Sequence, residues 1–572
     1  MLHLRPGLRW AASGLLLVAA VTTACHTGPV KDAALGSAGR KPKLVLQITV
    51  DQLRGELPRR YADRFGEGGF RYLMDEGTVY LDAHHGHADT ETIVGHTTLA
   101  TGADPAAHGM ISNVWLDRAS GELMYNVEDA RYPLLISGAG VDASTEIDPT
   151  QRAARSDGRS PAAIQVSTFS DELTLFTGGR AKVFGVSVKD RGAISMAGHT
   201  GKAFWFSKAA GRFVTSQFYY DAMPQWVEDW NALGRPGEYA NTSWELSDDP
   251  STYVFGDRDD RPYETVLGSF GRTFPHEYGP ADSKYFTTFL TISPAGDELT
   301  LDFAKAVIEN EGLGQDDVTD YLSVSFSSTD YVGHIFGPSS LESEENILRL
   351  DRTLAELFRY VDETVGLEDT LIVLSADHGG AEAPGYLAEL GFETDYIPGD
   401  FFTTFESTSG YGALVETFSH PYVYLDRAKL EEADHDVDEV ARALADELTA
   451  VDGIALAVAS VDLREGTFPD LRVLNSVLRN FSPGRSGDIY VVFEPYRYVN
   501  DFDGLTVATT HGSPWVYDTY VPIMVAGAGI PAQHVARRVE TVDVAPTLSS
   551  LVGAKPPSGA VGRLLREVVE PR

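Results

Sequence analysis

The chain has 572 residues, of which 43% are hydrophobic and 23% are charged. This length suits one large catalytic domain with insertions, or two domains, and the composition is that of a globular protein. The 83 acidic residues outnumber the 46 basic ones, for a formal net charge of −37. Such an acidic balance argues against nucleic acid as a specific partner. A phosphate-bearing ligand would have to be attracted by a local cluster of positive charge.

The amino terminus has the composition of a secretory signal peptide. Basic residues precede a twelve-residue apolar run at 10–21, which is too short to span a bilayer comfortably, and small residues follow up to Ala24. Cys25 is the single cysteine, so an internal disulfide is excluded. Its position resembles that of the lipidated cysteine of bacterial lipoproteins, although the residues before it depart from the usual pattern, so lipid attachment and a plain signal peptide both remain open. The sequence predicts an exported protein, periplasmic or at the cell surface, with a signal peptide at 1–24, a linker at 25–41 and a catalytic domain at 42–572.

After the linker, strand and helix patterns alternate. Apolar, β-branched runs are typical of strands buried on both faces of a parallel sheet, and they occur at Lys43–Val50, Val183–Val188, Tyr321–Phe326 and Leu371–Leu374, with later candidates at Tyr490–Phe493 and Val521–Val525. Helical stripes end near Gly312 and Gly366. The pattern predicts an α/β fold with an open, mostly parallel sheet and helices on both faces. Two segments near 200–290 and 380–485 do not alternate in this way and are predicted to form inserted caps.

Polar side chains follow the predicted strands at the point where each strand ends. In open α/β sheets the carboxyl ends of the strands form the ligand site, so these side chains are expected to converge. Aspartate oxygens and histidine nitrogens are ligands that zinc accepts. The candidates are Asp51, Lys189, Arg191, Asp330, His334, Asp377 and His378, with His511 in a later loop. Each motif alone has a structural explanation, but their repetition at several strand ends indicates a metal site.

Thr92 is the candidate nucleophile. It begins a short helical pattern that Gly102 ends, and a helix amino terminus favours an anion. A threonine hydroxyl is a poor nucleophile at neutral pH, and metal coordination can activate it. Taken locally, Thr92 is also a good helix cap.

These segments resemble a known family. The run Thr92–His96, followed by Thr101-Gly102, Pro105 and His108-Gly109, is similar to the nucleophile segment of phosphodiesterase/nucleotide pyrophosphatase-type members of the alkaline phosphatase superfamily. The resemblance extends from about Lys43 to Leu565. Lys189-Asp190-Arg191 and Asn113 match the phosphate-binding residues of its monomeric, phosphate-irrepressible bacterial alkaline phosphatases.

The resemblance implies an alkaline-phosphatase-like fold and a monomeric enzyme with two zinc ions. Asp330, His334 and His511 would hold one zinc, and Asp51, Asp377, His378 and Thr92 the other. Thr92 would form a phosphothreonine, while Asn113, Lys189 and Arg191 would bind phosphoryl oxygens. The predicted function is hydrolysis of small phosphate monoesters with release of inorganic phosphate. A phosphodiesterase of the same fold, an inactive lipoprotein that binds phosphorylated ligands and, less well supported, an exported mutase remain alternatives.

Overall fold

The computed structural model describes residues 41–502 and 504–570. The predicted signal peptide, Cys25 and all of the predicted linker except Lys41 lie outside these ranges. Within them, no helix is both long enough and apolar enough to cross a lipid bilayer.

The strands of the described residues form one large sheet and several small ones. In chain order they are β1 Leu44–Val50, β2 Thr78–His84, β3 Val114–Asp117, β4 Glu122–Tyr125, β5 Val183–Ser187, β6 Lys202–Ser207, β7 Arg212–Val214, β8 Ser243–Trp244, β9 His276–Glu277, β10 Asp320–Phe326, β11 Thr370–Ser375, β12 Val415–Ser419, β13 Tyr422–Leu425, β14 Ile454–Ala459, β15 Ile489–Phe493, β16 Asp501–Phe502, β17 Leu505–Thr506, β18 Tyr520–Gly527 and β19 Gln533–Glu540. The large sheet has the order β19-β2-β18-β11-β1-β10-β5-β6-β7. Its five central strands, from β11 to β6, are mutually parallel, whereas β18 and β7 run antiparallel to their neighbours. The predicted open, mostly parallel sheet is confirmed.

The described residues form 21 α-helices, some of which cover the two faces of the large sheet. They are α1 Leu57–Arg60, α2 Phe70–Glu76, α3 Thr92–Thr101, α4 Pro105–His108, α5 Pro149–Arg152, α6 Phe169–Phe176, α7 Asp190–Ala197, α8 Gln225–Ala232, α9 Phe286–Thr291, α10 Pro294–Glu311, α11 Ser328–Phe336, α12 Leu341–Thr364, α13 Pro384–Glu389, α14 Phe401–Thr404, α15 Arg427–Glu432, α16 Val437–Thr449, α17 Ser460–Glu465, α18 Arg472–Asn480, α19 Val516–Thr519, α20 Val544–Val552 and α21 Arg566–Val569.

Strand β1 shows that both faces of the large sheet are packed against other elements, because all seven of its residues are buried. Leu46 and Ile48 pack in one apolar cluster with residues of α10 and α12. Val45 points the other way and packs with residues of α6 and α20. Side chains alternate between the faces of a strand, so a continuous apolar run is what a doubly covered strand requires.

The two irregular segments were predicted to form inserted caps, but part of the first belongs to the large sheet. The segment near 200–290 contributes its first two strands, β6 and β7, to the edge of the large sheet. The segment near 380–485 supplies three strands of a separate four-stranded sheet of order β12-β13-β15-β14. The later strand predicted at Tyr490–Phe493 is therefore present as β15, but it belongs to that smaller sheet.

Candidate functional site

The parallel register of the central strands brings the predicted site residues to one edge of the sheet. Val50 at the end of β1 is paired with Phe326 at the end of β10, and Thr49 with Ser375 at the end of β11. The backbone N–H of Asp51 donates to the carbonyl of Phe326 (2.8 Å). The polar residues that follow β1, β5, β10 and β11 consequently meet, as expected for the carboxyl ends of an open α/β sheet.

Asp330, His334 and His511 form the first group of side chains able to hold a metal ion, since their ligand atoms all lie within 4.8 Å of one another. Asp330 and His334 are four residues apart on α11 and so share one face of that helix. The Oδ1 atom of Asp330 is 3.2 Å from His334 Nε2 and 3.3 Å from His511 Nε2. His334 Nδ1 lies 2.9 Å from the carbonyl of Thr509, and His511 Nδ1 lies 2.9 Å from that of Thr90, which leaves both Nε2 atoms for the metal.

Asp51, Asp330 and His378 form the second such group, so Asp330 is common to both. Asp377, predicted as a ligand here, lies beside the group with its Oδ2 3.5 Å from His378 Nε2. Asp51 Oδ1 and His378 Nε2 are fully buried and face each other at 3.4 Å, yet neither makes a hydrogen bond with any described residue. Two buried lone pairs facing each other are costly unless a cation lies between them. These residues therefore fit a metal ion.

The electrostatics of the group agree with that interpretation. Burial and the neighbouring Asp377 raise the pKa of Asp51 well above its usual range. Burial also lowers the pKa of His378, which keeps its imidazole neutral as a metal ligand requires. Although burial opposes ionisation of Asp330, His334 and Lys189 hold its pKa well below the usual range.

Thr92 is the first residue of α3, with Glu91 as the N-cap residue. The Oε2 atom of Glu91 accepts hydrogen bonds from the Asn113 N–H and from Ser112 Oγ. The side-chain oxygen of Asn113 accepts from the N–H of Ile93 (3.2 Å), so its NH₂ group is the part that a ligand would meet. Helix α3 ends at Gly102 in the left-handed conformation, as predicted (φ 64°).

Helix α3 also contacts the loop that carries Asp377. A Cβ atom at Gly95 would lie 1.8 Å from the carbonyl oxygen of Asp377, so only glycine permits this approach. One turn from Thr92, His96 Nδ1 lies 2.9 Å from the Thr92 carbonyl and 3.0 Å from Asp377 Oδ2. His96 Nε2 lies 2.9 Å from Ser325 Oγ on β10. His96 thus connects the Thr92 helix to a residue of the metal-binding region.

The two predicted phosphate-binding cations have different surroundings. The guanidinium of Arg191 contacts Asp148 (2.8 Å) and lies 3.5 Å from the Thr92 hydroxyl. Lys189 is fully buried, and its Nζ lies between Asp51 Oδ2 (2.7 Å) and Asp330 Oδ2 (2.5 Å). Although burial alone would lower it, these two carboxylates raise the pKa of Lys189. The ammonium is therefore held charged at the centre of the site.

Gln52, Glu91 and Asp148 also belong to the site, and sequence reasoning did not identify them. Gln52 has a left-handed backbone (φ 64°) and donates from Nε2 to Asp330 (2.9 Å) and from its N–H to Asp377 (3.1 Å). Its position directly after Asp51 is the one feature of the sequence that could have identified Gln52 as a site residue. For Asp148 no local signal exists, because its partner Arg191 is 43 residues away.

Three further histidines lie near the Thr92 segment, and each contacts a side chain or a backbone carbonyl outside the candidate metal-binding groups. His85 and His87 are buried and contact each other (3.1 Å), and His85 also contacts the carbonyl of Ala376 (3.1 Å). His84 contacts Asp82 (2.8 Å). None of the three belongs to either of the metal-binding groups that the described residues form.

A cavity of about 470 Å³ opens directly onto the site. Arg191, Asn113, His334 and His511 are among the residues that line it. Its other lining residues include many apolar side chains, some of them from the small sheet and from the β16–β17 hairpin.

Comparison with known proteins identifies the family to which the chain belongs. Residues 45–514 match the model of the type I phosphodiesterase/nucleotide pyrophosphatase family. The chain is 34% identical to alkaline phosphatase PhoV of Synechococcus elongatus, over 93% of each chain. It is also 34% identical to a protein of Myroides odoratus named as a calcium-transporting ATPase, over 93% of this chain and 95% of the other.

Alkaline phosphatase PafA of Elizabethkingia meningoseptica is 33% identical, over 92% of this chain and 95% of its own. The crystal structure of wild-type PafA superposes with a TM-score of 0.84 at 31% identity, covering 92% of this chain and 99% of PafA. The likeness therefore spans the large sheet, the site and both irregular segments. The chain belongs to the type I phosphodiesterase/nucleotide pyrophosphatase family, within the alkaline phosphatase superfamily.

Proposed function

We propose that this protein is an alkaline phosphatase that hydrolyses phosphate monoesters and releases inorganic phosphate. The observation that carries the proposal is the position of the Thr92 hydroxyl, at a helix amino terminus, 3.5 Å from the Arg191 guanidinium and near two clusters of aspartate and histidine. The relatives PhoV and PafA, which are named alkaline phosphatases, match over more than nine-tenths of this chain.

The proposal includes two zinc ions. Asp330, His334 and His511 would hold one, and Asp51, Asp377, His378 and the Thr92 oxygen the other. The mixed oxygen and nitrogen donors suit zinc. When bound, such a pair of cations supplies Lewis acidity toward the attacking and leaving oxygens of a phosphoryl transfer.

The chain's own residues account for the rest of the reaction. The Thr92 hydroxyl loses its proton and its Oγ attacks phosphorus; the bond to the leaving oxygen breaks, that oxygen takes up a proton and departs as the alcohol, and a phosphothreonine results. A water oxygen then attacks the same phosphorus and loses a proton; the bond to Thr92 Oγ breaks, the Thr92 oxygen regains a proton, and phosphate leaves. The amino terminus of α3, the Asn113 NH₂ group and the fork of Arg191 would stabilise the charge on the non-bridging oxygens throughout.

Arg191 and Lys189 are the basis for preferring monoesters over diesters. A monoester carries one more negative charge than a diester at alkaline pH, and two buried cations interact with that charge in a medium of low dielectric constant. Replacing either cation with alanine should therefore lower monoesterase activity far more than diesterase activity. An equal loss on both substrates would refute this role.

The test compares hydrolysis of p-nitrophenyl phosphate and bis-p-nitrophenyl phosphate by zinc-loaded protein at alkaline pH, using wild type, Thr92→Ala and the exposed control Thr467→Ala. A monoester preference that Thr92→Ala loses and Thr467→Ala keeps supports the proposal. A diester preference would assign the protein to the phosphodiesterases of its family. No turnover of either substrate would favour an inactive phosphate-binding protein.

The same proposal covers export and organisation. Residues 1–24 would be removed as a signal peptide, residues 25–41 would act as a linker, and the remainder would form a monomeric enzyme. In it the segment near 380–485, and the part of the segment near 200–290 that follows β7, would cap the sheet. Cys25 would carry a lipid if the mature chain is anchored. Mass spectrometry of the mature protein from the membrane and soluble fractions tests the cleavage site and the lipid, and light scattering tests the monomer.

A further inference from the structure

The cavity beside Thr92 is larger than a phosphate group alone can fill. Its volume is about 470 Å³, and the predicted phosphate ligands Asn113 and Arg191 are among the residues that line it. In a phosphate monoester the organic group is attached through the leaving oxygen. The part of the cavity that the phosphate leaves empty is therefore available to that organic group.

Most of this remaining space has apolar walls. Val114, Leu123 and Ile147 line the side next to Asn113 and Asp148. Phe418 and Phe493 come from the small sheet, and Phe502 and Leu505 from the β16–β17 hairpin. Val114, Leu123, Phe418, Phe502 and Leu505 are each only partly buried, so they retain apolar surface that a ligand could cover.

Phe502 has the most direct relation to the reacting end. Its ring lies 4.9 Å from that of His334, at an interplanar angle of 64°. His334 belongs to the candidate metal-binding group that does not include Thr92. Because Thr92 is the proposed attacking group, we assign the leaving oxygen to the side of His334. An organic group attached to that oxygen would therefore lie next to the Phe502 ring, which offers the large rigid surface that ligand pockets use to bind apolar groups.

The charges that line the cavity favour an uncharged organic group. Among the described residues that line it, Arg191 is the only lysine or arginine, and Asp148 already pairs with it. The carboxylates of Glu91 and Asp501 also line the cavity, and Asp501 is exposed. A second anionic group on the substrate would meet these carboxylates without a cation to offset them.

We propose that this cavity is a leaving-group subsite selecting phosphate monoesters whose organic group is apolar or aromatic and carries no further negative charge, with Phe502 as a specificity-determining residue. This inference rests on the proposed monoesterase function and adds the class of substrate.

The first test compares kcat/KM for benzyl phosphate and ethyl phosphate. Both release primary alkoxides of similar basicity, so a difference between them reports contact with the organic group. Wild type should prefer benzyl phosphate by about tenfold, since even half of the contact area of a ring contributes that much. Phe502→Ala should lose most of this preference and Phe502→Trp should retain it. Phe392→Ala, which changes a phenylalanine that is 62% exposed and does not line the cavity, should behave as wild type.

Binding provides a readout independent of turnover. Benzylphosphonate should inhibit more strongly than methylphosphonate, and Phe502→Ala should reduce that difference. Hexyl phosphate should be a better substrate than hexane-1,6-diol bisphosphate, and Asp501→Asn should narrow the gap.

Equal kcat/KM values for benzyl and ethyl phosphate, together with equal inhibition by the two phosphonates, would overturn the subsite while leaving the monoesterase function intact. Loss of all monoester hydrolysis in wild type would instead refute the proposed function. A benzyl preference that survives Phe502→Ala would refute the role of Phe502.

Discussion

Replacement of Gly95 by alanine tests how closely the Thr92 helix packs against the loop that carries Asp377. In a helix interior, glycine to alanine ordinarily stabilises by about 1 kcal/mol, because alanine has the better helix propensity. Here the added methyl would lie 1.8 Å from the Asp377 carbonyl oxygen and 2.5 Å from its carbon. Both are backbone atoms, so no side-chain rotation can relieve the contact.

The size of the clash sets the expected effect. Restoring an ordinary contact of about 3.4 Å requires α3 and the Asp377 loop to separate by more than 1 Å. Overpacking of this kind costs roughly 1–3 kcal/mol, which offsets or exceeds the gain in propensity. If Thr92 is the nucleophile, as we propose, a displacement of that size from the groups around Asp377 should lower the rate by about 10²-fold.

The assay pairs thermal unfolding with kcat/KM for p-nitrophenyl phosphate. Gly95→Ala should not raise Tm and should lower kcat/KM by about 10²-fold. Gly237→Ala is the matched control, because no atom lies within 4 Å of its added Cβ. A stabilised Gly95→Ala enzyme with normal activity would refute the contact between the helix and the loop.

Three further predictions concern metal binding and pH. His96→Phe should weaken zinc binding by about 10–100-fold in a chelator competition, because His96 contacts Asp377, whereas the exposed His534→Phe should not; equal affinities would contradict the role of His96. Removal of zinc by a chelator should lower Tm and added zinc should restore it, since a ligand at 100 times its Kd stabilises by about 2.7 kcal/mol; an unchanged Tm would contradict a metal bound in the folded state. Burial raises the pKa of Asp518 from its usual range to about 8. The folded state therefore retains a proton that the unfolded state loses, and the free energy of unfolding should fall as pH rises from about 4 to about 8. Asp518→Asn should flatten that slope in urea unfolding, and an identical slope would contradict the raised pKa.

The central strands could be predicted because their buried environment requires a continuous apolar run, which is visible in the local sequence. A strand covered on both faces must be apolar at every position, as in β1, and such a run is visible without any knowledge of the partner strands. Strands β6 and β7, at one end of the large sheet, were not predicted as part of it. The aromatic residues of β6 are equally compatible with an inserted segment, and the pairing with β5 that settles their place is set by tertiary contacts.

The residues at the strand ends were also predictable, because sheet topology converts distant positions into neighbours. Their supporting residues were not, since each depends on a contact between distant parts of the chain. Gln52 donates to Asp330 across 278 residues, and Asp148 holds Arg191 across 43. Glutamine and aspartate are common throughout the sequence, and only the folded structure shows which of them contact a site residue.

The place of β18 in the large sheet has a consequence for how the molecule matures. This strand, Tyr520–Gly527, lies between β2 and β11, so the sheet stays split until residues near the end of the chain arrive. His511 precedes it by only a few residues. Pairings between such distant segments form slowly, and a complete set of ligands exists only after they form. A nascent chain would thus complete its candidate metal-binding groups last, and metal binding would indicate that folding is complete.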